Sequence, residues 1–182
     1  MRYNAHVRTR RFKLAGEATG LANGSMSSAD DMAFMREALL EAQLAYDRGE
    51  CAVGAVLVHD GQIIARAGNR EAELHDPTAH AEILVLREAG RYLGQHTFPD
   101  CTVYTTLWPC PMCENSLLRA KIPRVICGAR SFKYIYEVTF DRSRLEKIGP
   151  TMNQECRDVY VRWLKRRGLD MILEYEGHSA SE

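Results

Sequence analysis

Two short stretches decide how this chain folds: DPTAHAEILVL at residues 76–86 and VYTTLWPCPMC at residues 103–113. In the first stretch an Asp-Pro pair precedes apolar residues at helical spacing. We therefore expect a helix with Asp76 as its N-cap, ending near Gly94. In the second stretch an apolar run predicts a strand, and Pro111 predicts the first residue of another helix. The sequence thus predicts a helix, a strand and a second helix in succession.

The flanking sequence continues this alternation. We expect a helix over residues 28–48, ended by Gly49, because apolar side chains recur there at helical spacing. Apolar runs at 52–58 and 62–67 flank a His-Asp-Gly turn and predict a hairpin. The remaining predicted elements are a loop at 68–74, a strand at 125–129, a helix at 155–167, and a strand or helix at 169–175. The expected fold class is α/β, a three-layer α/β/α sandwich on a mixed sheet.

Composition limits the possible functions. The chain has 182 residues, with 24 basic and 24 acidic side chains and no formal net charge. A hydrophobic content of 46% is typical of a globular protein and excludes a fully disordered chain. No apolar run approaches the ~20 residues that span a bilayer, so we expect no membrane partner. The neutral balance argues against a broadly basic nucleic-acid-binding face, although a local basic groove remains compatible with it.

The first 29 residues differ from the rest of the chain. Basic residues crowd the first fourteen positions, and small or polar residues dominate as far as Ser28. We predict a disordered basic leader over 1–29 and one globular domain over 30–182. A transit-like segment and a true start at Met26 are the alternatives for the leader. Because the chain has six cysteines and no apolar signal segment, we expect a reducing, cytoplasmic environment.

Three residues have the spacing of a metal site. Cys110 and Cys113 lie three residues apart at a predicted helix start, so both sulfurs face one side and the helix N-terminus favours thiolates. His80, expected in the first turn of its own helix, supplies a third ligand. Three protein ligands with one open position are typical of catalytic zinc. Glu82 follows His80 by two residues. It is therefore poorly placed as a fourth ligand beside His80, but well placed to exchange protons with a zinc-activated water.

The pattern His-x-Glu followed by Pro-Cys-x-x-Cys resembles that of the zinc deaminases. Over about residues 30–177 the chain resembles the cytidine-deaminase-like superfamily. It is most similar to the branch of cytosine deaminases, guanine deaminases and tRNA adenosine deaminases. The stretches Gly68-Asn69-Arg70, 76–82 and 104–107 carry this resemblance. It implies a zinc-dependent deaminase domain over 30–182.

The resemblance also implies a reaction. One zinc ion per subunit of a homodimer would activate water for attack on the amine-bearing ring carbon, and Glu82 would carry protons to the ring and to the departing ammonia. The implied substrate contacts are Asn69, the Ala81 backbone N–H, Trp108, Phe132 and Glu174.

The choice of substrate depends on the end of the chain. An ungapped match to the tails of cytosine deaminases places Glu174 where an acid contacts the pyrimidine. We therefore expect a cytosine- or guanine-type free base, or its nucleoside, as the small-molecule substrate. Trp108 departs from every branch, and residues 131–152 match none of them well. These departures indicate an altered substrate pocket beside an intact set of zinc-binding residues.

A tRNA-specific adenosine deaminase, converting adenosine to inosine, is the alternative function. Two basic groups favour RNA as a partner. They are Arg119, Lys121, Arg124 and Arg130, and Arg162, Lys165, Arg166 and Arg167. The neutral net charge weighs against this reading, because such residues are also common on a solvated helix face.

Two other classes explain less of the sequence. A thiol oxidoreductase would use the Cys110–Cys113 pair, but it leaves His80 and Glu82 without a role. A structural zinc module requires a fourth ligand, for which His75 and Cys127 are the candidates.

Overall fold

The computed structural model of this chain describes residues 28–130, 146–149 and 151–169. These residues form five helices and five strands. In chain order the elements are α1 (Ser28–Asp47), β1 (Gly54–His59), β2 (Gln62–Gly68), α2 (Glu71–Leu74), α3 (Ala81–Leu93), β3 (Cys101–Leu107), α4 (Pro111–Arg119), β4 (Arg124–Ala129), β5 (Glu146–Ile148) and α5 (Asn153–Arg166). The predicted α/β class is confirmed.

The strands form one mixed sheet in the order β2-β1-β3-β4-β5. Strand β1 is antiparallel to both β2 and β3, whereas β3, β4 and β5 run parallel. The hairpin closes through Asp60 and Gly61, which have φ values of 49° and 69°. Two consecutive residues with positive φ match the right-handed twist of the strands. The hairpin prediction is therefore confirmed.

Helices cover both faces of the sheet. Helices α1 and α5 contact each other; α1 packs against β1, β2 and β3, and α5 packs against β3 and β4. Helix α3 packs against β1, β2 and α4. Every residue of β1 except His59 is buried, as expected for a strand covered on both sides. This arrangement confirms the predicted three layers.

Two glycines allow α1 to approach the sheet closely. Gly54 and Gly68 are directly paired across the hairpin. A Cβ on Gly54 would collide with the Ala38 carbonyl oxygen, and one on Gly68 would collide with the Glu41 carbonyl oxygen. The helix backbone therefore rests against the sheet without intervening side chains.

The predicted helix start at Asp76 was wrong. The backbone N–H and the hydroxyl of Thr78 donate to Asp76 Oδ1 at 2.8 and 2.6 Å, and this closes a turn before the helix. Helix α3 begins at Ala81 with His80 as its N-cap, four residues later than predicted. In an Asp-Pro-Thr sequence the aspartate can serve either as a helix N-cap or as the first residue of an Asx turn. In this structure Asp76 forms the Asx turn.

Other boundaries also differ from the prediction. The expected loop at 68–74 contains the short helix α2, and strand β5 was not predicted. None of the described helices is long and apolar enough to cross a membrane. Phe132, Glu174, the first 27 residues and most of the predicted element at 169–175 lie outside the described residues.

Candidate metal centre

The three predicted metal ligands meet at one point. His80 Nδ1 lies 3.6 Å from Cys110 Sγ and 3.5 Å from Cys113 Sγ. All three ligand atoms lie within 4.8 Å of one another. His80 is the N-cap of α3 and Cys110 is the N-cap of α4. The expectation that His80 lies within the first helical turn was wrong, because its backbone is extended at φ −72° and ψ 152°.

Local hydrogen bonds fix both ligand-bearing helix starts. The His80 N–H donates to the Thr78 carbonyl at 2.8 Å, while the His80 carbonyl accepts the first helical hydrogen bond of α3 from Leu84. The Cys110 carbonyl accepts the equivalent bond in α4 from the Glu114 N–H at 2.8 Å. Each N-cap ligand is therefore held by its own helix, and the side chain projects from the N-terminal end.

The thiols and the imidazole form a strongly coupled cluster. A hydrogen bond with Cys113 lowers the pKa of Cys110 to about 4, and a hydrogen bond with His80 acts in the same direction. The hydrogen bond with Cys110 raises the pKa of His80 to about 9. The same contact with Cys110, together with burial, raises the pKa of the Cys113 thiol. The lowered pKa favours the thiolate form of Cys110, and His80 and Cys113 would release protons when a metal binds.

This donor set fits zinc. Two sulfurs and one imidazole nitrogen are ordinary zinc ligands, and a bound zinc ion would keep a fourth position open. Among the described residues, the only cluster of at least three metal-binding side chains is His80, Cys110 and Cys113. His75 and Cys127, the candidate fourth ligands of a structural zinc module, are absent from it. The predicted zinc cofactor is therefore confirmed, and the arrangement favours a catalytic site over a structural one.

Glu82 lies beside the ligands in the same cleft. Glu82 is only 3% exposed, and burial raises the pKa of its carboxyl group. The Thr105 hydroxyl donates to Glu82 Oε1 at 3.0 Å and orients the carboxylate. Sequence analysis missed this role of Thr105, because a threonine in a buried strand has no distinctive signal.

Asn69 and Ala81 are joined directly. The Ala81 backbone N–H donates to Asn69 Oδ1 at 2.9 Å, and Asn69 is 2% exposed. Asn69 therefore satisfies a free N–H at the start of α3, although it lies 12 residues earlier in sequence. Sequence analysis predicted substrate contacts for both residues but not this bond between them. Asn69 still lines the cleft.

The cleft beside the metal ligands has a volume of about 370 Å³. Predicted site residues Trp108 and Asn69 line it, and helix α5 and the residues after it form the facing wall. The wall residues missed by sequence analysis are Tyr160, Trp163, Leu164, Arg167 and Leu169. Helical spacing in 155–167 predicted an apolar face but could not show that this face borders the metal ligands.

The two basic groups are divided among several surfaces. Arg124 forms a bidentate pair with Asp31, and Arg162 and Arg166 lie over the Tyr46 ring. Arg167 differs, because it lies over Trp163 and lines the cleft. Arg130 lies over the ring of Trp108, another residue of the cleft. Each basic group therefore contributes one residue near the candidate site.

Comparisons with known proteins place this site in a family. The family model for the cytidine and deoxycytidylate deaminase zinc-binding region matches residues 28–129. A tRNA-specific adenosine deaminase of Agrobacterium fabrum is 51% identical over 100 residues, which is 55% of this chain and 66% of that protein. A chloroplastic tRNA(adenine(34)) deaminase of Arabidopsis thaliana is 52% identical over 99 residues, 54% of this chain but 8% of that protein. This chain thus spans less than two thirds of either relative.

A solved structure extends the likeness to three dimensions. It comes from a study of A-to-I editing by tRNA:A34 deaminases and is 38% identical, with a TM-score of 0.63. The match covers 70% of this chain and 98% of that chain. The names of these relatives refer to tRNA. The prediction that the substrate is a free cytosine- or guanine-type base, or its nucleoside, was therefore wrong. The zinc motif is shared by all branches, so the expectation depended on a tail alignment that lies outside the matched region.

The family match covers more than half of the chain and includes His80, Cys110 and Cys113. The same region builds the three-ligand centre and the cleft beside it. The chain therefore belongs to the cytidine and deoxycytidylate deaminase family of zinc-binding proteins.

Proposed function

We propose that this protein is a zinc-dependent tRNA adenosine deaminase, which converts an adenosine within tRNA to inosine and releases ammonia. The observation that carries the proposal is the 51% identity to a tRNA-specific adenosine deaminase over the region that forms the metal centre. The wobble adenosine is the first position to test, because the related solved structure comes from work on that position.

His80, Cys110 and Cys113 are the proposed metal ligands. A zinc ion bound there would supply Lewis acidity and lower the pKa of a water molecule in its open position. The positive end of the α4 dipole lies at Cys110 and Cys113 and favours the negative charge that both sulfurs would carry when they bind zinc.

Glu82 is the proposed catalytic residue. Its buried carboxylate would take a proton from the attacking water and pass protons to the ring nitrogen and the amine. A carbon–oxygen bond forms at the ring carbon as the carbon–nitrogen bond breaks. Adenosine and one water thus give inosine and one ammonia, with no oxidant or reductant. Burial supports this role, because a carboxyl group with a raised pKa carries a proton more readily near neutral pH.

The cleft supports recognition of a single extruded base. Its volume of about 370 Å³ suits a base flipped out of its stack rather than a helical segment. We propose that Asn69 and Trp108 contact the flipped base. On the facing wall Trp163 is the proposed stacking residue, and the buried Tyr160 ring stacks against it. Arg167 supplies a positive charge for a neighbouring phosphate.

Several sequence predictions remain part of this proposal. They are substrate contacts by Phe132 and Glu174, a leader over 1–29 before a domain over 30–182, a homodimer, and a cytoplasmic location. The predicted substrate contact of the Ala81 N–H is not retained, because this group donates to Asn69 Oδ1. The oxidation-sensitive thiolate ligands support a reducing compartment. Light scattering during size-exclusion chromatography would test the homodimer.

A single assay tests the proposal. Zinc-loaded protein would be incubated with a tRNA transcript carrying adenosine at the wobble position, and inosine would be detected as guanosine after reverse transcription. We expect inosine from this transcript and none when the wobble position carries guanosine. Glu82→Gln, which retains the side-chain volume, is the matched protein control and should give no product.

Free cytosine, guanine, adenine and adenosine would be assayed in parallel for ammonia release. Turnover of one of these compounds, without inosine in the tRNA, would refute RNA as the substrate. Equal product from wild-type protein and Glu82→Gln would refute the assigned catalytic residue.

A further inference from the structure

The carboxylate of Glu71 connects the metal centre to the substrate side of the cleft. Its Oε2 accepts a hydrogen bond from Asn69 Nδ2 at 3.1 Å. Its Oε1 lies 3.5 Å from His80 Nε2. One side chain therefore contacts both a metal ligand and a proposed substrate-binding residue. The side chain of Glu71 is 36% exposed and lines the cleft.

A buried glutamate fixes the helix that carries Glu71. The backbone N–H groups of Ala72 and Glu73 donate to the Glu50 carboxylate at 3.1 and 2.8 Å. Glu50 is only 4% exposed, so these bonds satisfy its charge within the protein. The Arg70 N–H also donates to the Ala79 carbonyl at 3.0 Å, which ties the start of α2 to the turn before His80. The position of Glu71 is therefore set by the backbone.

The orientation of His80 gives this contact a chemical consequence. Its Nδ1 faces both sulfurs, so metal binding through Nδ1 requires the ring proton to be on Nε2. The Glu71 Oε1 lies 3.5 Å from that second nitrogen, within ion-pair distance. A carboxylate in this position fixes the tautomer, holds the ring plane and makes the ligating nitrogen more basic.

The second contact fixes the Asn69 amide. Its oxygen already accepts the Ala81 N–H, and Glu71 accepts a hydrogen from its nitrogen. A reversed amide would place its nitrogen against the Ala81 N–H and its oxygen against a carboxylate. Glu71 therefore maintains one orientation of Asn69.

We propose that Glu71 is a positioning residue that orients His80 for zinc and Asn69 for substrate. The zinc part concerns this chain's own ligands, whereas the substrate part rests on the proposed tRNA deaminase function. Glu71 does not contact the reacting atoms, so its loss should alter affinity more than the chemical step.

The same helix offers a matched control in Glu73. The Glu73 carboxylate pairs with Arg70 at 2.6 Å and with Arg48 at 3.7 Å. Its side chain is 43% exposed, close to the value for Glu71. Glu73→Gln therefore removes one charge from α2 but leaves the side-chain contacts of His80 and Asn69 with Glu71 in place.

The first measurement is zinc affinity, obtained by competition with a chromophoric chelator on the full chain. Glu71→Ala should bind zinc about 10- to 100-fold more weakly than the wild-type protein. Glu71→Gln keeps an oxygen for His80 Nε2 and the native volume, so its loss of affinity should be smaller. Glu73→Gln should bind zinc as the wild-type protein does. The Glu71→Gln variant also guards against a folding defect in Glu71→Ala.

Two further readouts separate positioning from a general structural role. Proton NMR of the zinc-loaded protein should show a slowly exchanging His80 Nε2 proton that exchanges faster in Glu71→Ala. With tRNA as substrate, Glu71→Gln should raise KM more than it lowers kcat, because the Asn69 amide loses its acceptor.

Zinc affinity of Glu71→Ala within twofold of wild type would overturn the proposal. So would equal losses of zinc affinity in Glu71→Gln and Glu73→Gln. Wild-type protein that binds zinc but deaminates no tRNA would refute the proposed function, whereas the zinc and NMR comparisons would still decide the role of Glu71 at the metal.

Discussion

The two walls of the cleft present different kinds of side chain. One wall consists of the N-terminal ends of α3 and α4, which present His80, Cys110 and Cys113 as metal ligands. The other wall is the face of α5, which presents Tyr160 and Trp163. The family model covers the first wall and ends before the second.

This difference explains why the sequence predicts the metal-dependent chemistry more readily than the choice of substrate. Zinc requires particular donor atoms at particular distances, so only a few residue types and spacings satisfy it. Base stacking requires only a flat ring face and therefore tolerates many sequences. The ligand wall should consequently control turnover, whereas the aromatic wall should control affinity.

The largest effect is expected from Glu82 on the ligand wall. Glu82→Gln should lower kcat about 100- to 10,000-fold, because the proton carrier is lost while the packing remains. Measurement of inosine formation under single-turnover conditions would give this value. Zinc content should be unchanged, and a variant that also loses its zinc would show that Glu82 supports the metal site instead.

Removal of zinc should expose a selective reactivity in the ligand wall. At pH 6 the metal-free Cys110, with its pKa lowered to about 4, is almost fully thiolate, and this reactive form persists until the pH falls through about 4. Cys51 lines the same cleft, but burial raises its pKa to about 12, so it remains a thiol. Brief treatment with iodoacetamide followed by peptide mass spectrometry should find Cys110 modified and Cys51 unmodified.

Zinc-loaded protein is the control, because a coordinated thiolate should be protected from alkylation. Equal modification of Cys51 and Cys110 in the metal-free protein would contradict the assigned thiolate.

On the aromatic wall, Trp163→Leu should raise KM for tRNA about 5- to 100-fold. The substitution keeps an apolar side chain but removes the ring face, and stacking contributes about 1–3 kcal/mol per base. The change in kcat should be small. A large fall in kcat with an unchanged KM would show that this wall takes part in the chemical step, and the proposed division between the walls would fail.

The smallest effect is expected from charge on the aromatic wall. Arg167→Ala should weaken tRNA binding a few-fold and make it less dependent on salt, because one phosphate contact is lost. Arg166→Ala is the matched control, since Arg166 lies over Tyr46 and donates to the Tyr46 carbonyl. Titration of labelled tRNA at several salt concentrations would compare the two variants. If the affinity of both variants depends equally on salt, Arg167 does not contact a phosphate.

The sequence predicted the ligand wall more completely than the aromatic wall, for physical reasons. The ligand spacing and the Cys110 N-cap follow from local helix geometry, so they were correct without tertiary information. The start of α3 was misplaced because Asp76 has two stable local uses. The contacts of Glu71, Thr105 and Trp163 depend on segments brought together only by folding. The substrate prediction was wrong because zinc ligands do not distinguish among the branches that share them.

The close approach of α1 to the hairpin has a consequence for tolerance to mutation. Gly68 directly precedes Asn69, and its Cα faces the backbone of α1 at Glu41. One added methyl group would force either the helix or the strand to move, and the displacement would reach Asn69 through a single peptide bond. Random mutagenesis should therefore yield temperature-sensitive alleles at Gly68, a position that does not line the cleft and that a search restricted to the cleft would overlook.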